Sequence, residues 1–146
     1  MEWDEYFSNI LNVSKDKSPC SRLKVSCLLV KDNRIISHGF NGFLTNQQHN
    51  SILEDNHEVG TIHAEANALM YCSKYGISCN DAIAYITHYP CINCIKLLYM
   101  SGIRRIKYMD DYNNDTNIEK LGILDQTSNN SISITKLKRY TSEVKN

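Results

Sequence analysis

The sequence predicts an α/β fold, a three-layer α/β/α sandwich around a mixed five-stranded sheet. Three observations predict it. Residues 24–30, KVSCLLV, form a nearly continuous apolar run, as expected of a strand buried on both faces. The turn signal KDNR (31–34) leads from it into IISHGF (35–40), its hairpin partner. Beyond the hairpin, helical segments alternate with short strand-like runs, and strands joined through helices run parallel with right-handed crossovers.

Each element has its own signal. Trp3, Tyr6, Phe7, Ile10 and Leu11 stand at helical spacing, so residues 3–13 form an amphipathic helix. Residues 41–60 are polar and read as a loop, with Asn41, Gly42, Gln47, Gln48, His49 and Asn50. The next helix places Ile62, Ala66, Leu69, Met70 and Ser73 along one stripe, with Gly76 as its cap. AIAYITHY (82–89) is a strand stopped by Pro90, and CINCIKLLYMSG (91–102) is a helix ending at Gly102. RRIKYM (104–109) is a strand, residues 110–121 a loop with a short helix, and SISITKL (131–137) a last strand of alternating pattern. About twenty residues precede that strand, enough for a parallel crossover. No repeat or linker interrupts the chain, so residues 1–146 read as a single domain.

Composition narrows the function. With 42% hydrophobic and 22% charged residues, the chain can bury a core. Sixteen basic residues balance sixteen acidic ones, so a polyanion meets no general attraction and no nucleic-acid partner is expected. A small anionic substrate needs only one or two placed cations. The opening MEWDEYFSNI carries three acids and lacks the apolar core of a signal peptide. No apolar run approaches the roughly 20 residues that cross a bilayer. The expectation is a soluble, cytoplasmic protein without a membrane partner. In that compartment six cysteines are thiols or metal ligands. With Cys91 and Cys94 set aside as ligands, Cys20, Cys27, Cys72 and Cys79 read as small core residues.

The chemistry lies in TIHAEANAL (61–69) and THYPCINC (87–94). His63 and Glu65 stand at the start of one helix, Cys91 and Cys94 at the start of the next. Cysteines at i and i+3 share a helix face, and a helix N-terminus favours thiolates. One imidazole and two thiolates leave a fourth tetrahedral position open, the arrangement of a catalytic zinc. His88 or His57 remains available as a fourth ligand, which would make the site structural. Positions i and i+2 of a helix do not share a face. His63 therefore belongs in the first turn or just before it, with Glu65 reaching the open position as proton carrier. HxE followed by PCxxC is the signature of zinc-dependent nucleobase deaminases.

These residues resemble the deoxycytidylate (dCMP) deaminases of the cytidine deaminase-like superfamily. The resemblance runs from about Trp3 to Tyr112, through WDEYF, SPCSRLKVSCLLVKDNRIISHGFNGF, HAEANAL, YITHYPCINC and MSGIRRIKYMDDY. It implies one zinc per chain, held by His63, Cys91 and Cys94. It also implies hydroxide attack on C4 of cytosine, with Glu65 protonating N3 and then the leaving amine. The product would be dUMP, the precursor for thymidylate. Asn41 in GFNG, Ala64 between His63 and Glu65, Arg22 and Tyr112 become substrate-binding positions, Arg22 for the 5′-phosphate. Asn41 also suits a plain Asn-Gly turn, Arg22 a surface charge, and Tyr112 a loop anchor.

The resemblance further implies dCTP and dTTP as effectors and a homo-oligomer, commonly a hexamer. Phe40 stands where the family's G-Y-N-G has Tyr, and Gly60 where relatives have Arg. The segment between GFNG and HAE lacks the cysteines of a second zinc site. Two alternatives stay open: a dual dCMP/dCTP deaminase, and a deaminase of a base within tRNA or single-stranded DNA. A zinc-binding module without catalysis is a third, and it would have no need of Glu65.

Overall fold

The computed structural model describes residues 1–112 and 117–140, with the His57 side chain outside that description. Helix α1 (Trp3–Ser14) ends in one 3-10 turn and leads to the hairpin β1 (Ser26–Lys31) and β2 (Arg34–Phe40). Two short pairs follow in what reads from sequence as plain loop. β3 (Gly42–Phe43) pairs with β6 (Thr61–Ile62), and β4 (Leu53–Glu54) with β5 (His57–Glu58). Then come α2 (Ala64–Tyr75), β7 (Ile83–His88), α3 (Ile92–Met100), β8 (Arg105–Asp110), α4 (Asn117–Lys120) and β9 (Ser133–Lys136). The segment 113–116 of the expected 110–121 loop lies outside the described residues.

The main sheet has the order β2-β1-β7-β8-β9. β1 is antiparallel to both of its neighbours, while β7, β8 and β9 run parallel. This is the mixed five-stranded sheet that the element order predicts, including the last parallel crossover. Asp32 and Asn33 both take positive φ, the backbone of a two-residue hairpin turn whose twist suits the strands. Phe7 and Leu11 of α1 pack with Leu28, Val30 and Tyr85 on one face of the sheet. Ala68, Leu69 and Cys72 of α2 and Ile95 and Leu98 of α3 pack with Leu29, Ala84, Ile86 and Ile106 on the other. Each such buried Leu or Ile contributes about 1.5–3 kcal/mol of transfer free energy.

One expectation needs correction. The buried face of α2 is Ala64, Glu65, Ala68, Leu69 and Cys72, while Met70 is exposed and Ile62 precedes the helix in β6. The reason is the close approach of β2. A Cβ on Gly39 would come within 2.6 Å of the Ala68 nitrogen, so only small residues fit beneath the helix. The Ser37 hydroxyl also donates to the Ala68 carbonyl at 2.7 Å. Of the four cysteines expected in the core, Cys27, Cys72 and Cys79 are buried, while Cys20 is only half-buried.

Candidate active site

Both helices that follow the hairpin begin at one end of the sheet. His63 is the cap residue of α2, in extended backbone, and Cys91 caps α3 in the same way. His63 thus sits just before the helix, as the HxE spacing requires. The β3–β6 pair holds the approach to His63, and Pro90 ends β7 just before Cys91. His63 Nδ1 lies 3.6 Å from Cys91 Sγ and 3.3 Å from Cys94 Sγ. The three ligand atoms lie within 4.8 Å of one another. Zn–S of ~2.3 Å and Zn–N of ~2.0 Å at tetrahedral angles give an N···S edge of about 3.5 Å. The spacing and the donor set therefore fit zinc, with Nδ1 as the imidazole ligand. Among the described residues His88 is not part of this group.

The electrostatics agree with a thiolate site. Its hydrogen bond with Cys94 pulls the Cys91 thiol down to about 4, against the opposing effect of burial. The same hydrogen bond, then burial, push Cys94 up, so the shared proton rests there. The hydrogen bond to Cys91 raises His63. Glu65 is only 4% exposed, and burial raises its pKa while contact with the Cys94 thiol opposes the rise. A buried carboxyl beside two thiols and an imidazole, its pKa raised by burial, is placed to take and to give a proton.

The other candidate positions are arranged differently. Ala64 is buried, its carbonyl against Gly39. The Asn41 amide clamps the arch 18–25. Its Oδ1 accepts from the Ser18 hydroxyl (2.7 Å) and the Val25 N–H (2.8 Å), and its Nδ2 donates to the Leu23 carbonyl (2.7 Å). Both acceptor positions are thereby filled, and one N–H remains for a ligand. Arg22 rides on the same exposed arch and donates to the Asn56 carbonyl at 3.0 Å, tying the arch to the β4–β5 turn. Tyr112 is 53% exposed just after β8, edge-on to the His88 ring.

Two framing residues escape a reading of the sequence. Asn67 donates to the Phe40 carbonyl at 3.0 Å and ties the first turn of α2 to the end of β2. Buried Ser18 receives the Cys20 N–H as well as bonding Asn41. Asn67 lies two residues beyond Glu65 in HAEAN, a polar residue inside a helix and the one available hint. In the basic run KLKRY (136–140) the cations lie at the surface, Lys136 paired with Asp111 at 2.7 Å and Lys138 and Arg139 exposed, while Leu137 is buried in the core with Phe7 and Leu11.

Comparison with known proteins agrees with this geometry. A family model described as the cytidine and deoxycytidylate deaminase zinc-binding region matches residues 1–110. ComE operon protein 2 of Bacillus subtilis is 38% identical over 116 residues, covering 77% of this chain and 61% of its own length. The deoxycytidylate deaminase of Mycobacterium phage D29 is 34% identical over 122 residues, 73% of this chain and 94% of its own. The crystal structure of dCMP deaminase from cyanophage S-TIM5, in complex with dCMP and dUMP, superposes with a TM-score of 0.77. It is 27% identical and covers 91% of this chain and 95% of that one. Structures of tRNA A34 deaminases share the fold at 22% identity and a TM-score of 0.59. With its sheet order, its His-Cys-Cys centre and these likenesses, the chain belongs to the cytidine and deoxycytidylate deaminase family of zinc-binding enzymes.

Proposed function

We propose that this protein hydrolyses dCMP to dUMP and ammonia. The observation that carries the reading is the buried Glu65 carboxyl against the His63–Cys91–Cys94 centre. Likeness to a dCMP deaminase that binds dCMP and dUMP supports the choice of substrate. Zinc bound by the three ligands would lower the pKa of a coordinated water from ~15.7 to ~7, supplying hydroxide at neutral pH. Glu65 takes up a proton there and passes it to N3 of cytosine as the oxygen bonds to C4, then carries that oxygen's remaining proton to the exocyclic amine, which leaves C4 as ammonia. Its burial keeps the carboxyl in exchange with these partners rather than with bulk water. Ala64 lines the base pocket, Asn41 offers its remaining N–H to the sugar, and Arg22 and Tyr112 face the 5′-phosphate. The whole chain, 1–146, acts as one deaminase domain. Its dUMP would supply thymidylate synthesis in the cytoplasm, with dCTP and dTTP as effectors of a homo-oligomer, a hexamer by family likeness.

Zinc-loaded protein is to be incubated separately with dCMP, dCTP, deoxycytidine, cytosine and a cytosine-containing single strand, following ammonia and the uracil product. Turnover of dCMP alone is the expected result. Comparable turnover of dCTP would make the enzyme dual. No turnover of any monomer, with dCTP added as activator, would sink the reading.

A further inference from the structure

Thr87 and His88 end β7, four and three residues before Cys91, and the proton path above uses neither. Along β7, Ala84 and Ile86 belong to the core under α2 and α3, and Tyr85 to the core under α1. The same period of two puts His88 on the α2–α3 side, at the strand end that leads through Tyr89 and Pro90 to Cys91. Thr87 is 2% exposed. Its hydroxyl oxygen accepts the Ser26 N–H at 3.1 Å and lies 3.0 Å from His88 Nδ1.

A buried hydroxyl proton requires an acceptor. Among the described residues His88 Nδ1 is the acceptor within reach, so the hydroxyl donates to it. The imidazole proton is then on Nε2, an assignment made from the network. Burial lowers the His88 pKa; Asp110 on β8 opposes this and Lys15 after α1 reinforces it. The ring is thus neutral at pH 7, and among the described residues no protein group pairs with Nε2. Tyr112 stands edge-on with ring centres 6.2 Å apart. A nitrogen that can only donate suits a ligand atom that can only accept. Phosphate oxygens are the strongest such atoms of a nucleotide.

We propose that His88 is a specificity-determining, substrate-contacting residue: fixed by the Thr87 hydroxyl as its Nε2–H tautomer, it donates that hydrogen to the 5′-phosphate beside Tyr112. The assignment rests on the nucleotide reading above and adds a recognition element to it. Thr87 is a positioning residue, acting through His88.

Two measurements test it. Long-range 15N–1H spectra of zinc-loaded, histidine-labelled protein read the tautomer, with the His88 signals assigned by their loss in His88→Gln. The expected pattern is Nε2-protonated, kept in Thr87→Ser and lost in Thr87→Val. An Nδ1-protonated or charged His88 at pH 7 in the parent overturns the proposal, whatever the turnover. Kinetics then compare dCMP with deoxycytidine. His88→Ala should raise KM for dCMP about tenfold, the weight of one good hydrogen bond, with kcat within about twofold and KM for deoxycytidine unchanged. His88→Gln, which keeps an N–H near the Nε2 position, should recover most of the loss. Unchanged KM, or equal rises for both substrates, would sink the His88 assignment while dCMP turnover by the parent left the function standing. A parent that turns over no dCMP would remove both.

Discussion

At the residue scale, Glu65 separates an enzyme from a zinc-binding module. Its carboxyl touches the Cys94 thiol but is not among the three metal-ligand candidates. Glu65→Gln keeps the shape, loses the proton carrier, and leaves the donor set whole. The expected outcome is full zinc content by metal analysis and a fall in kcat of about 10²–10⁴-fold. Retained turnover would show that another group moves the protons. Asn41 shows why such a role has to be weighed against structure. An Asn before Gly is legible as a turn, and GFNG as a substrate contact. The coordinates show a third use, a clamp on an arch whose first residue is 23 positions away.

At the element scale, α1 is held to the sheet by more than Phe7 and Leu11. The Asp4 carboxylate accepts from the Tyr85 hydroxyl at 2.5 Å and pairs with Lys107 at 2.9 Å, joining the helix to β7 and β8. Burial pushes the Asp4 pKa up, but the bonds from Tyr85 and Lys107 outweigh it and leave it below the ordinary 3.8. A depressed carboxyl stabilises the fold above its unfolded pKa and loses that contribution as pH falls through the folded value. Asp4→Asn should therefore cost ~1 kcal/mol at pH 7, the pair being partly exposed. Urea unfolding at pH 7 and at about pH 3 checks this, since the gap between variant and parent should narrow in acid. A gap independent of pH would mean that packing, not charge, holds α1.

At the scale of the whole molecule, two helix starts meet through side chains 31 positions apart in the chain. A metal there ties α2 to α3, and a ligand bound only by the folded state stabilises that state. Chelation should lower Tm by about 10 °C if free zinc stands near 100 times its Kd. The core on both faces of the sheet remains, so far-UV dichroism at 25 °C should hardly change, and added zinc should restore Tm. Unfolding on chelation would instead make the metal a structural requirement. Much of this architecture is readable without coordinates. The hairpin turn, the buried central strand, the alternating helices and the spacing of His63, Glu65, Cys91 and Cys94 are local matters, set by backbone preference and side-chain period over a few residues. The stripe drawn on α2 fails because hydropathy does not register how closely Gly39 brings β2 to the helix. That approach selects Ala64 and Ala68 over Met70. The sequence by itself thus determined the fold class and the donor set of the centre. Only the tertiary structure decided that Nδ1 of His63 faces both sulfurs, that Arg22 is tied to the Asn56 carbonyl, and that the Thr87 hydroxyl lies 3.0 Å from His88 Nδ1. Each of those depends on contacts between elements, where an ångström of approach selects the partner and the order of residues carries no such measure.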